Sequence, residues 1–119
     1  MAKEAKPMVA MEDTFDKLDI RLGRIVKVEE AEGVPKRAYK LTIDFGKFGM
    51  KTSIGRFTQH ASDEIVGRLV LGVLNFESRM IGHTQSEVLT LGVQYPKAES
   101  GEATLVSPLA DAKVGSKLF

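Results

Sequence analysis

The sequence predicts an all-β domain: a small five-stranded barrel with one short helix between its third and fourth strands, plus a β-rich C-terminal extension. Three observations lead there. Apolar residues alternate with polar ones through residues 18–28 and 39–45, the period of strands with one buried face. Glycines at Gly33, Gly46, Gly49 and Gly67 bound these runs as turn residues do. Only one window, RFTQHASDEIVG, abandons the period of two.

The elements follow in order. In LDIRLGRIVKV the even positions Leu18, Ile20, Leu22, Val26 and Val28 are apolar apart from Arg24, and Gly23 marks an expected bulge or barrel corner. EEAEGVPKRA is a loop. Tyr39, Leu41, Ile43 and Phe45 then alternate with Lys40, Thr42 and Asp44 as a second strand, and KFGMKTSIG reads as a hairpin back along it. Ser62 or Asp63 is placed to cap a short helix ended by Gly67, with Phe57, Ala61 and Ile65 on one face. Residues 69–76 form an almost continuous apolar strand, residues 88–91 the next, PKAESGEA a loop, ATLVSP a short strand and VGSKLF a last extended piece. A five-stranded barrel with its helix between strands three and four is the OB-fold, whose ligands lie across strands two and three and the adjacent loops.

Composition bounds the possible functions. At 119 residues, 43% hydrophobic and 28% charged, the chain fits one domain, divided here into an arm at 1–14 and a domain at 15–119. No apolar run approaches the roughly 20 residues of a membrane helix, and the N-terminal apolar stretch is shorter than a secretory core, so no membrane insertion and a cytoplasmic location are expected. Zero cysteines exclude disulfides, thiolate metal sites and thiol nucleophiles. Net charge is only +1, but residues 17–56 carry ten basic side chains against five acidic ones. That region is locally basic.

The tract between the last two apolar runs, LNFESRMIGHTQSEVLTLG, holds more polar chemistry than a turn requires. Read from residue types alone, Asn75 can end a strand on local backbone, Ser86 can start the next, and Arg79 with Glu77 can be a surface pair. They can equally form a groove. Arg79 offers a planar donor fork for phosphate, Asn75 and Ser86 can read a base edge or a ribose hydroxyl, and Phe76 or Leu89 can floor a splayed base.

The opening FDKLDIRLGRIVKVEE, followed by YKLTIDFG, resembles the tRNA-binding domain shared by bacterial methionyl-tRNA synthetase tails, cytokine-like synthetase cofactors and small stand-alone homologues. VLNFESRMIGHTQSEVLTLG resembles the family pattern of an apolar strand ending in Asn, then Arg or Lys, then Ser-Glu and two apolar residues. Within that family the SEVL form, the compact length and the VGSKL tail are most similar to the CsaA type, described as export-related and chaperone-like. The resemblance implies a homodimer wrapped by its terminal segments. It also implies a groove lined by Asn75, Arg79, Ser86 and Glu87, with Ser53 nearby. Where many relatives carry prolines and a second basic residue, this chain has Glu77, Ser78 and Met80, and His83 takes a usual glycine's place.

Two binding expectations follow. One is tRNA or other structured RNA held by Arg79, Asn75, Ser86, Glu87 and Ser53 with Arg21, Lys51 or Arg56. The other is unfolded or export-bound polypeptide held on an apolar groove of Phe57, Phe76, Met80, Ile81 and Leu89, where methionine and aromatics give an adaptable surface. A hydrolase is the third reading, resting on His83, Ser86 and Glu87 being near in sequence, which supplies neither an orienter nor an oxyanion site. No catalysis is expected. With two histidines 23 positions apart and no phosphate-cradling glycine loop, no metal or other cofactor is expected either.

Overall fold

The computed structural model describes residues 5–97 and 101–119, so the expectations for residues 1–4 of the arm and 98–100 of the PKAESGEA loop lie outside it. Two single-turn 3-10 segments come first, Met11–Asp13 in the arm and Phe15–Lys17 just after it. Five antiparallel strands then build the barrel: β1 (Ile20–Glu30), β2 (Tyr39–Asp44), β3 (Met50–Gly55), β4 (Leu69–Val73) and, after a projecting hairpin of β5 (Arg79–Ile81) and β6 (Thr84–Ser86), β7 (Leu89–Thr90). Their order across the sheet is β3-β2-β1-β4-β7. The barrel nearly closes between its two end strands. Its helix α1 (Ser62–Ile65) falls between β3 and β4 as expected, and the C-terminal extension is β-rich: β8 (Gly92–Gln94) pairs with β9 (Ala103–Leu105), and Lys117 bridges to Arg21.

The core explains the glycines of β1 and β4. A Cβ on Gly23 would stand 2.6 Å from Ile43 Cγ2 and 2.7 Å from Phe45 Cε1, and one on Gly72 would stand 2.7 Å from Phe45 Cζ. The Phe45 ring lies across both strands where only glycine leaves room. Gly23 is therefore a site of close approach, and the bulge expected there falls at Val26 instead, where the β1–β2 register slips between Ile25 and Lys27. The slip changes which face of β1 is buried. Before it, Ile25 points into the barrel while Leu22 and Leu71 face outward under Val106, Pro108, Ala112 and Leu118 of the C-terminal segment. Val26 itself is 41% exposed, against the expectation from simple alternation. Beyond the slip, Val28 packs on the core and Lys27 and Glu29 point out.

Three further boundaries shift. Neither Ser62 nor Asp63 caps α1 with its side chain; Ala61 holds the N-cap position and is exposed, while Phe57 and Ile65 are buried. The strand expected over residues 69–76 ends at Val73, leaving Asn75 and Phe76 exposed. The polar tract, expected to line a groove, contains the β5–β6 hairpin with a two-residue Gly82-His83 turn. Gly82 has φ 59°, as the first central residue of a type II′ turn requires.

Candidate nucleic-acid interface

The hairpin arches away from the barrel and is fastened at both ends. At its returning foot, Glu87 N–H donates to Thr52 carbonyl (2.8 Å), Thr52 N–H donates to Glu87 Oε1 (2.9 Å) and Ile54 N–H donates to Ser86 Oγ (3.1 Å). Thr90 Oγ1 donates to the fully buried Ser53 Oγ (2.8 Å). These bonds satisfy the otherwise free edge of β3 and bring the barrel close to closure. At the leaving foot, Asn75 Oδ1 accepts from Asp19 N–H (2.7 Å) and its Nδ2 donates to Lys17 carbonyl (2.8 Å).

The tip is fastened too. His83 N–H donates to Glu32 carbonyl (3.0 Å), and a Cβ on Gly33 would meet the His83 ring at 2.5 Å. The β1–β2 loop and the hairpin thus form one continuous rim. His83 is part of the frame that holds the arch.

Beneath the arch lies a cavity of about 310 Å³ lined by Ile54, Phe76, Glu77, Arg79, Ile81, Ser86, Glu87, Val88 and Leu89. Phe76 (47%), Met80 (61%) and Leu89 (44%) are exposed along the same tract. Among the described residues, Arg79 makes no ion pair with Glu77 or any other carboxylate. Its guanidinium is an uncommitted cation beside an exposed aromatic ring. Ile54, in the cavity wall, sits opposite Lys40 on β2, and Thr52 sits opposite Thr42. Since Tyr39, Leu41 and Ile43 point inward, Lys40 and Thr42 lie on the outer face. Lys27, opposite Thr42 on β1, extends that face and pairs loosely with Glu29 at 3.6 Å.

The expected site residues therefore divide. Arg79, Phe76, Ile81, Leu89, Ser86 and Glu87 meet at one cavity, whereas Asn75 and Ser53 are held in structural hydrogen bonds beside it. Phe57, expected in the apolar groove, is a core residue at 2% exposure. Arg21 lies elsewhere: Nε bonds Asp19 Oδ1 (2.6 Å) and its guanidinium stacks 4.6 Å over Phe48. Arg56 Nε donates to Arg37 carbonyl (3.2 Å), and Lys51 follows Met50 near the β2–β3 turn. Lys27 and Lys40 were missed as site residues. Their placement depends on the register slip at Val26 and on pairing of distant strands. At the edge of the rim, Glu30 accepts two bonds from Arg37 Nε and one from Nη2 (2.7 Å). That hydrogen bonding holds the Glu30 carboxyl below its ordinary value and raises Arg37. Among the described residues no cluster of three metal-ligating side chains occurs.

The family profile described as "Putative tRNA binding domain" matches residues 20–117. This chain belongs to the tRNA-binding-domain family. It is 33% identical over 112 residues to the methionine–tRNA ligase of Methanoculleus marisnigri, covering 94% of this chain and 16% of that enzyme. It thus spans about a sixth of the length of such a synthetase. Two solved structures are similar over their whole length: the CsaA chaperone protein from Picrophilus torridus (TM-score 0.83, 34% identity, 94% of this chain and 100% of that one) and the chaperone CsaA from Bacillus anthracis strain Ames (TM-score 0.85, 33% identity, 95% and 100%).

Proposed function

We propose that this chain is a non-catalytic tRNA-binding module that takes RNA on the outer face of β1–β3 and into the cavity under the arch. The observation that carries the reading is Arg79, a guanidinium with no ion pair among the described residues, beside the exposed Phe76 in a chain of the tRNA-binding-domain family. Arg79 would take a phosphate as a planar fork, Phe76 and Leu89 would floor an unstacked base, and Lys27 and Lys40 would follow the backbone. Asn75, Ser86, Glu87 and Ser53 would act chiefly by holding that shape, since their bonds to the backbone and to Thr90 are already made. Lys51 and Arg56 would add charge at the margins.

The working unit is proposed to be a cytoplasmic homodimer. Met8, Val9 and Met11 of the arm and Leu109 and Phe119 of the C-terminal segment are all exposed in the single chain, an unusual display of large apolar side chains on both terminal segments. Light scattering at micromolar concentration should return twice the chain mass, and a monomer there would remove the dimer.

A second reading, capture of unfolded polypeptide, is favoured by the exposed Phe76, Met80 and Leu89 and by the likeness to CsaA chaperones. Fluorescence anisotropy of labelled total tRNA, with an unfolded apolar peptide as competitor, separates the two. RNA binding should weaken steeply as salt rises, because each neutralised phosphate releases counterions, whereas peptide binding should not. Peptide capture with no tRNA binding even at low salt would reverse the order of the readings.

A further inference from the structure

Two turns meet at the end of the β2–β3 hairpin remote from the arch. One is the Gly46–Phe48 turn that joins β2 to β3, and the other is formed by residues 113–116 of the C-terminal segment. They are locked back to back. Gly46 has φ 65° with Val114 carbonyl oxygen 3.0 Å from where a Cβ would stand, and Gly115 has φ 89° with Phe45 carbonyl oxygen at 3.2 Å. Gly115 N–H also donates to Leu22 carbonyl (2.7 Å), which pins the C-terminal turn to β1.

Between the turns is a recess of about 380 Å³ lined by Gly46, Lys47, Lys113, Val114, Gly115 and Ser116. Among the described residues its lysines form no ion pair, while two of the three neighbouring carboxylates are taken by arginines. Asp44 Oδ1 accepts from Gly46 N–H (2.8 Å), Asp19 pairs with Arg21 (2.6 Å) and Asp111 pairs with Arg24 (3.1 Å). Among the described residues, no carboxylate pairs with Lys47, Lys113 or Lys117. Lys47 Nζ rests 5.4 Å from the Phe48 ring whose other cation is Arg21, and Arg21 Nη1 donates to Gly115 carbonyl (3.3 Å). Among the described residues two exposed lysines therefore line one recess without an ion pair, and of the three neighbouring carboxylates only Asp44 is not taken by an arginine, so positive charge is in excess there and an anion with several oxygens relieves it.

We infer that this recess is a second anion site, which takes a phosphate group of an RNA backbone. The choice of RNA rests on the function proposed above and on position. β3 runs from Met50, beside the recess, to Ile54 in the wall of the arch cavity, four residues or roughly 13 Å away at the usual strand rise. The outer face between them presents Thr42, Thr52 and Lys40. A strand whose base enters the arch cavity crosses that face and delivers a later phosphate to Lys47 and Lys113, each acting as a point charge.

The test is the salt dependence of tRNA affinity for the full chain, with the Lys47→Ala/Lys113→Ala variant beside a control, Arg68→Ala/Lys97→Ala, that removes the same charge at the end of α1 and beyond β8. All four side chains are exposed, and urea midpoints check that both variants fold. The expected result is a severalfold loss of affinity and a slope of log K against log salt shallower by roughly 1–2 for the first variant only. If wild type binds tRNA and the two variants behave alike, whether both unchanged or both weakened, the recess is no phosphate site and the proposed function stands without it. If wild type binds no tRNA at any salt, the recess and the proposed function fall together.

Discussion

The two limbs of the arch hold their side chains in opposite states. On the limb that returns to the barrel, Ser86 and Glu87 bond the edge of β3. On the limb that leaves it, Phe76, Arg79 and Met80 are exposed, and among the described residues Arg79 has no ion pair. The cause is the edge strand. β3 ends the sheet order, so the N–H groups of Thr52 and Ile54 need acceptors, and the returning limb passes where it can supply them. A polar residue's neighbourhood decides whether it holds the fold or meets a ligand; its chemistry alone does not.

Breaking the returning limb should have the largest effect on stability. Ser86→Ala leaves Ile54 N–H without its acceptor and should cost about 1–3 kcal/mol, read as a lower urea midpoint with unchanged m. The tip comes next. Gly33→Ala drives a Cβ into the His83 ring at a position with φ 72°, an overpacking worth about 1–3 kcal/mol, and adding His83→Ala should restore the part due to the clash. If the double variant is no better than Gly33→Ala alone, the His83 ring does not pack against Gly33.

On the leaving limb, Arg79→Ala should change unfolding by less than about 0.5 kcal/mol, as surface substitutions do. The smallest effect belongs to the rim. Because the Arg37 hydrogen bonds hold folded Glu30 below its ordinary value, their contribution is present above the unfolded carboxylate value and is lost as pH falls through the lower folded one. Acid titration of stability should therefore lose a slight component in Glu30→Gln. The pair is exposed, so solvent screening keeps that component small.

Much of the fold is legible in the residues because alternation is local. Tyr39 to Phe45 and the Gly46–Gly49 turn read directly as the β2–β3 hairpin, and the break in period at residues 56–67 marks α1. Gly23 misleads because a strand glycine marks either a bulge or a close approach, and only the Phe45 ring, 22 positions away, decides which. The outward burial of Leu22 was equally hidden, since it depends on a C-terminal segment that returns over β1 and β4. At the site, residue types and the family pattern bring out Arg79, Phe76, Ser86, Glu87 and Leu89, which the fold gathers at one cavity. Lys27, Lys40 and the His83 latch depend on register and loop packing between distant segments. No short motif carries that information.

The most direct measurement is tRNA affinity and urea unfolding on the same preparation of Arg79→Ala. Wild-type unfolding is expected, with binding weaker by about 1 kcal/mol or more and a shallower salt dependence. Wild-type affinity in a variant that folds normally would mean that Arg79 does not hold RNA.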